Sequence, residues 1–188
     1  MTVLIAYGTI EGQTRKIAEF VAKQVRDTGE NVVLFDTSDR IGDLAFEGVD
    51  KVILAASVHE RRHPKAFEVF VDTNRKVLAE KPTLLLSISL KAAFENGRED
   101  AQNYADEMKL RTGLNPDNEL LVAGAIRSDS YDFYASQVLR YVVLDGQDFD
   151  PSIRDHEFTN WEELALSVAA FLKGDGTGER DNSDGQTI

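Results

Sequence analysis

Apolar residues along the chain fall into short runs that alternate with helical stripes. The first run, Val3 to Tyr7, is apolar throughout and ends at Gly8. From Thr14 to Gly29, apolar residues recur at the spacing of one helix face. This pattern predicts a buried strand, a loop and an amphipathic helix.

The same alternation continues towards the end of the chain. Further strands are predicted at 31–35, 51–56, 83–86 and 120–126, and helices at 63–78, 100–112 and 161–172, with one helical turn near 41–46. Strands that are apolar on both faces and alternate with helices are typical of a parallel sheet covered on both sides. Five such strands predict a doubly wound α/β fold and fit the strand order 2-1-3-4-5, one of the common orders of that architecture. Ligands then bind where the loops after the first and third strands meet, with the loop after the fourth alongside.

Residues 128–159 do not follow this alternation. They contain an aromatic-rich helical stripe and then an acidic stretch from Asp145 to Asp150. Insertions of this length are commonly functional or form an interaction surface. Two interpretations stay open: the stripe covers the core, or it contacts a ligand or a second subunit, as in a homo-oligomer.

Composition narrows the range of functions. The 188 residues, 42% of them hydrophobic, are sufficient for one globular domain. We predict a domain at 1–173 and a disordered acidic tail at 174–188, because the tail has few apolar side chains to offset the entropy of ordering. A formal net charge of -12 argues against binding to nucleic acid or, by charge, to an anionic membrane.

The absence of cysteine restricts the chemistry further. Without cysteine the chain forms no disulfide, thiolate metal site or cysteine nucleophile, so redox chemistry requires a bound cofactor, and no metal site is predicted. The N-terminal apolar run is too short for a signal peptide or a membrane span. The sequence therefore predicts a cytoplasmic location, with at most peripheral contact at the inner face of the membrane.

The loop after the first strand carries the clearest functional signal. The segment Gly8-Thr-Ile-Glu-Gly-Gln-Thr14 directs N–H groups and hydroxyls towards a helix N-terminus, where the helix dipole favours an anion. A P-loop would need lysine where the chain has Gln13, and a dinucleotide fingerprint would need glycine at Ile10. The loop therefore predicts a site for a phosphomonoester held without metal. The alternative is that Thr14 only caps the helix.

Longer motifs point to a known family. The run Tyr7-Gly-Thr-Ile-Glu-Gly-Gln-Thr14 resembles the FMN phosphate loop of the flavodoxin family. Further segments are similar to the menaquinone-dependent protoporphyrinogen IX dehydrogenases, the flavodoxin-like enzymes of haem synthesis: Ala55-Ala-Ser-Val58, Ser87-Ile-Ser-Leu90, Ala123-Gly-Ala-Ile-Arg127 and Phe158-Thr-Asn-Trp-Glu162. The resemblance implies a flavodoxin-like, doubly wound five-stranded sheet with a helical segment inserted before the last helix. It also implies an FMN-dependent oxidoreductase that passes electrons from a porphyrinogen-like substrate to a quinone or another acceptor.

The resemblance implies which residues bind FMN. Those at the phosphate are Thr9, Ile10, Glu11, Gly12, Gln13 and Thr14. Those beside the isoalloxazine are Ser57, Val58, His59, Ser87, Ile88, Ser89, Leu90 and Lys91. No side chain is marked as a nucleophile or an essential base, since the flavin itself carries the chemistry.

The segment from His59 to His63 is the densest basic cluster of the acidic chain. Arg61 and Arg62 are predicted to bind carboxylates of the substrate, such as porphyrin propionates, because a guanidinium pairs with a carboxylate in a bidentate manner. The alternative is a solvated loop with local ion pairs. Two interpretations of the histidines stay open: they titrate near neutral pH and pass protons during flavin reduction, or they have no catalytic role, as is usual for a lone surface histidine. Glu60 departs from the family, which has a tyrosine in this loop.

A second function stays open, that of a flavodoxin-type one-electron carrier without its own substrate. The acidic composition suits docking to a redox partner, whereas Arg61 and Arg62 are unneeded for it. A phosphorylation receiver domain of similar fold is excluded, because Gly8-Thr9 and Ala56-Ser57 stand where it requires acidic residues. Trp161, the only tryptophan, is predicted to be a structural anchor.

Overall fold

A parallel sheet of five strands forms the centre of the molecule. The computed structural model describes residues 1–39, 44–127 and 155–174. The strands are β1 (Thr2–Gly8), β2 (Asn31–Asp36), β3 (Lys51–Ser57), β4 (Thr83–Ser89) and β5 (Asn118–Ala123). Their order, β2-β1-β3-β4-β5, and the parallel pairing of all neighbours confirm the predicted doubly wound fold.

Helices cover both faces of the sheet. They are α1 (Gln13–Asp27), α2 (Lys65–Ala79), α3 (Arg98–Thr112) and α4 (Trp161–Lys173), and two short 3-10 turns at Lys91–Ala93 and Glu95–Gly97 lead into α3. Successive side chains of a strand point to opposite faces, so the strands supply two apolar clusters. One cluster includes Ile5, Ile17 and Leu164 on the side of α1 and α4, and the other includes Leu4, Phe67 and Met108 on the side of α2 and α3. Within the described ranges, no helix has the length and apolar composition needed to cross a bilayer.

The predicted strand at 120–126 is wrong in one respect, because the chain leaves the sheet after Ala123. At this break the Gly124 N–H donates to Ser89 O (3.0 Å). The next strand, β6 (Ala125–Arg127), pairs antiparallel with β7 (Asp155–Glu157) in a separate two-stranded ribbon. The apolar run crosses the break without interruption because Ala125 and Ile126 are also buried.

Three other predicted segments fall partly or wholly outside the described residues. The helical turn near 41–46 falls partly on 40–43, which lie outside them, and 44–46 is not helical. Of the predicted insertion, 128–154 lies outside the described residues, and 155–157 is the strand β7. The predicted tail, apart from Gly174, also lies outside them.

The end of α4 is attached to the opposite end of the sheet from the predicted ligand loops. Lys51, the first residue of β3, is 9% exposed, and its ammonium group donates to three carbonyl oxygens, those of Phe171, Leu172 and Gly174, at 3.0, 2.9 and 2.5 Å. The last carbonyls of a helix lack intrahelical partners and carry negative partial charge. Lys51 therefore caps α4.

Candidate functional site

The loops after β1, β3 and β4 come together at the carboxyl edge of the sheet, as the strand order predicts. His59 Nδ1 lies 3.6 Å from Glu11 Oε1, which brings the turn after β3 against the loop after β1. The Val58 N–H donates to Ile88 O at 2.7 Å and so connects that turn to β4. The predicted cofactor residues of the three loops thus belong to one region.

The loop after β1 has the geometry of an anion site. Gly12 adopts a left-handed conformation with φ of 88°, and its N–H donates to Thr9 Oγ1 at 2.9 Å. Helix α1 begins at the next residue, Gln13, and its first turn contains no acidic side chain. Because the first N–H groups of a helix lack intrahelical partners, they are available to an anion placed over the loop. Ile10, at the outer side of the loop, is 53% exposed.

Thr14 supports this assignment more directly. The residue has no exposed surface, and its Oγ1 has no hydrogen-bond partner among the residues described. Gly12 occupies the N-cap position and no side chain caps α1, so the alternative that Thr14 caps the helix is wrong. A buried hydroxyl without a partner costs free energy, and a bound acceptor would remove that cost.

Ser57, the last residue of β3, shows the same feature. Its Oγ is buried and finds no partner in the described part of the chain. Strand alternation places Ser57 on the same side of the sheet as Ala55, which packs in the cluster formed with α1. Two unsatisfied hydroxyls, those of Thr14 and Ser57, therefore lie on the α1 side of the sheet at its carboxyl edge.

The cations in the first turn of α1 are already neutralised. Arg15 Nη2 lies 3.0 Å from Asp36 Oδ2, and Lys16 Nζ lies 2.6 Å from Glu157 Oε2. Burial would raise the pKa of Asp36, but hydrogen bonds from Ser38 and Arg15 outweigh it and lower that pKa below its ordinary value. An anion in the loop would therefore be held by hydroxyls and N–H groups of this turn.

The side chain of Gln13 is engaged in a different contact, which the sequence did not predict. Its amide donates to Thr159 Oγ1 (3.0 Å) and to Glu157 Oε2 (3.2 Å), and Thr159 donates to Ala123 O (2.8 Å). Burial would raise the pKa of Glu157, but hydrogen bonds from Lys16, from the indole of the last helix and from Gln13 lower it below its ordinary value. This network connects the start of α1 to β7, so Gln13 can meet a ligand in the loop through its backbone.

Trp161 belongs to the same network. Its Nε1 donates to Glu157 Oε1 at 2.8 Å, and its ring packs against Phe20 with centroids 4.8 Å apart. These contacts confirm the prediction that the only tryptophan is a structural anchor.

Several predicted residues of β4 and its loop have their side chains engaged inside the protein. Ser87 and Ser89 are 1% and 5% exposed, and Ile88 is in the core on the α1 side. Ser89 Oγ accepts from the Ala92 N–H at 3.2 Å, and Lys91 Nζ lies 3.4 Å from Asp100 Oδ2. Leu90 is only partly buried. At this end of β4, the groups available to contact a ligand are therefore mainly backbone N–H and C=O groups.

The turn formed by residues 59–62 places Glu60, Arg61 and Arg62 in solvent beside the site. Glu60 and Arg61 have positive φ angles of 48° and 66°. Across the described ranges, neither arginine takes part in an ion pair, in contrast to Arg15 and Arg111. Arg61 and Arg62 are therefore accessible cations at the edge of the site.

His63 is buried, contrary to the sequence prediction. It is 3% exposed, and Nε2 lies 3.0 Å from Ser87 Oγ. Burial lowers the pKa of His63 to about 4, so the prediction that it titrates near neutral pH is wrong. The basic cluster suggested an exposed loop, whereas the turn directs His63 inward. His59 is 40% exposed on its side chain.

Comparisons with known proteins agree with this architecture. The flavodoxin domain family matches residues 4–150. The chain is 28% identical over 167 residues to protoporphyrinogen IX dehydrogenase [quinone] of Escherichia coli, which covers 88% of this chain and 91% of that protein. The protein of the same name from Leishmania major is 24% identical over 172 residues, 89% of this chain and 73% of that one. Among solved structures, oxidised flavodoxin 1 from Bacillus cereus superimposes with a TM-score of 0.56 at 17% identity, covering 92% of this chain and 98% of the flavodoxin.

Proposed function

The chain belongs to the flavodoxin domain family, and on that premise we propose that it is an FMN-dependent oxidoreductase that oxidises protoporphyrinogen IX and passes the electrons to a quinone. The observation that carries the cofactor assignment is the buried Thr14 hydroxyl, which has no partner in the described part of the chain. The substrate assignment is supported by the relatives from Escherichia coli and Leishmania major, whose matches span most of this chain.

The residues at the edge of the sheet fit FMN. We propose that the hydroxyls of Thr9 and Thr14, with the N–H groups at the start of α1, hold its phosphate. We add the hydroxyl of Ser57, which the sequence resemblance had assigned to the isoalloxazine, because it is unsatisfied on the same side of the sheet as that of Thr14. A phosphate dianion would supply the acceptors that the two unsatisfied hydroxyls lack. The backbones of 57–59 and 87–91 would border the isoalloxazine. Bound FMN would supply the redox chemistry, taking electrons from the substrate and releasing them to the acceptor.

We assign the substrate carboxylates to Arg61 and Arg62. Both side chains are exposed at the edge of the site and have no ion pair with the described residues. Guanidinium groups match carboxylates in a bidentate geometry. Porphyrinogen propionates would therefore bind at the 59–62 turn, beside the proposed cofactor site.

We propose a quinone as the acceptor, which is supported by the names of the relatives from Escherichia coli and Leishmania major. A formal net charge of -12 gives no electrostatic attraction to an anionic membrane. We therefore propose a cytoplasmic location. Contact with the inner face of the membrane would occur only during electron transfer to a lipid-soluble quinone.

The function is tested with purified protein that has been loaded with FMN and desalted. Anaerobic addition of protoporphyrinogen IX is expected to bleach the flavin absorbance and to produce porphyrin fluorescence, and a short-chain quinone is expected to restore the flavin absorbance. Flavin that stays oxidised in the presence of the porphyrinogen would refute the proposal. Accumulation of a stable one-electron form during dithionite titration would then favour the electron carrier.

The substrate contacts are tested with the variant Arg61→Gln/Arg62→Gln. We expect KM for the porphyrinogen to rise by about fivefold, with kcat unchanged. The variant removes two exposed charge contacts of roughly 0.5 kcal/mol each, and a total of about 1 kcal/mol corresponds to about fivefold. Arg26→Gln is the matched control, because Arg26 is an exposed arginine in the last turn of α1, far from the site. An unchanged KM in the double variant would contradict the assignment.

A further inference from the structure

The 59–62 turn is held in a conformation that its own residues disfavour. Glu60 and Arg61 both have positive φ, and side chains with a Cβ rarely adopt this region. Two-residue turns of this kind usually contain Asn-Gly. The turn is closed by two backbone bonds, from His59 N to Arg62 O (2.8 Å) and from Arg62 N to His59 O (2.9 Å). Contacts outside the turn must therefore contribute to its conformation.

Both ends of the turn are attached to consecutive residues of β4. Before the turn, the Val58 N–H donates to Ile88 O at 2.7 Å. After the turn, His63 Nε2 hydrogen-bonds Ser87 Oγ at 3.0 Å, and both residues are almost completely buried. The attachment to Ser87 is the only one of the two that depends on side chains.

The His63–Ser87 pair is a polar contact beside an apolar cluster. The imidazole lies near the ring of Phe67, with centroids 6.3 Å apart, and Phe67 belongs to the core between the sheet and α2. Two apolar side chains of similar shape would stabilise such a core about equally well. A directional hydrogen bond, in contrast, restricts where the chain after Arg62 can lie.

His63 makes this contact as a neutral ring. Burial lowers its pKa to about 4, Glu68 on α2 opposes the shift, and Arg111 on α3 reinforces it. An uncharged imidazole neither repels the two arginines of the turn nor requires a buried counter-ion.

We propose that His63 and Ser87 form a latch that holds the 59–62 turn over the cofactor edge, which makes His63 a positioning residue for Arg61 and Arg62. The part of this inference that concerns substrate rests on the proposed function. The part that concerns the conformation of the turn does not.

Hydrogen exchange of the FMN-loaded protein tests the latch without substrate. In His63→Leu, we expect the amides of His59 and Arg62 to exchange about tenfold faster, because a hydrogen bond that opposes local opening is lost, while exchange in α1 stays as in the parent protein. His63→Gln, whose amide nitrogen can reach the position of Nε2, is expected to restore slow exchange. Slow exchange of the turn in a folded His63→Leu protein would overturn the latch.

Ser87→Ala provides a second test of the same hydrogen bond if His63→Leu does not fold. It removes one hydroxyl and leaves the imidazole in place, and the same increase in exchange at the turn is expected. Unchanged exchange in this variant would also overturn the latch.

Steady-state kinetics separate the latch from the proposed function. In His63→Leu, KM for protoporphyrinogen is expected to rise several-fold with kcat unchanged, since the turn loses its position and the flavin does not. If the parent protein fails to oxidise protoporphyrinogen, the proposed function fails while the exchange data still decide the latch. Faster exchange with an unchanged KM would contradict the positioning of the arginines.

Discussion

Replacing Thr14 by valine is expected to move apoprotein stability and FMN affinity in opposite directions. Thr14 has no exposed surface, and its hydroxyl has no partner among the described residues. Valine has nearly the same shape and removes the buried polar group, which should stabilise the apoprotein by about 1–3 kcal/mol. For a chain of this size, each 1 kcal/mol corresponds to about 2–4 °C in Tm.

The same substitution removes a proposed ligand of the phosphate. A hydrogen bond to a charged acceptor contributes about 1.5–3 kcal/mol, so the Kd for FMN is expected to rise by about tenfold or more. Urea unfolding of the apoprotein and quenching of flavin fluorescence measure the two quantities.

Thr112→Val is the matched control for Thr14→Val. Thr112 is 2% exposed, but its hydroxyl already donates to Met108 O at 2.9 Å. Its replacement is therefore expected to destabilise the protein and to leave FMN affinity unchanged. An apoprotein of Thr14→Val that is no more stable than the parent, or an unaltered Kd for FMN, would refute the reasoning about the unsatisfied hydroxyl.

Two further predictions concern stability. Burial lowers the pKa of His63 from 6.5 to about 4, so the unfolded chain binds more protons than the folded chain between these pH values. The contribution of neutral His63 to the free energy of unfolding is therefore complete above pH 6.5 and is lost as the pH falls towards 4. The free energy of unfolding should be smaller by about 2 kcal/mol at pH 5 than at pH 7. Urea titrations at both pH values should show that His63→Asn loses this difference and that His59→Asn retains it. The same difference in the free energy of unfolding for the parent and both variants would contradict the burial argument. Lys51→Met leaves three carbonyls at the end of α4 without their donor and should destabilise the protein by about 2 kcal/mol; a free energy of unfolding within error of the parent would show that Lys51 is not a cap.

The strands and helices were predictable because each strand is apolar on both faces and each helix is amphipathic. These are local patterns that indicate a parallel sheet covered on both sides, and the order 2-1-3-4-5 is one of the few that doubly wound sheets of this kind adopt. The break after Ala123 was not predictable in this way. Both sides of it are buried, so hydropathy continues across the point where the hydrogen-bond partner changes from β4 to β7.

The loop after β1 was also recognisable from sequence, because glycine and hydroxyl residues between a strand and a helix have a defined local geometry. The sequence could not show which of those groups are already satisfied. Gln13 belongs to the motif, yet its side chain bonds Thr159, 146 residues away, while Thr14 beside it has no described partner. Such a difference depends on contacts that the fold makes.

The sequence by itself determined the α/β fold, the position of the ligand edge and the chemical character of the loop after β1, since all three follow from local spacing and residue type. Only the tertiary structure decided which polar groups at that edge are free to bind. It turned His63 inward against Ser87 and left Arg61 and Arg62 exposed, although these residues are neighbours in one basic cluster. The physical reason is that burial and hydrogen bonding depend on partners brought together from distant strands, and a single stretch of sequence does not contain those partners.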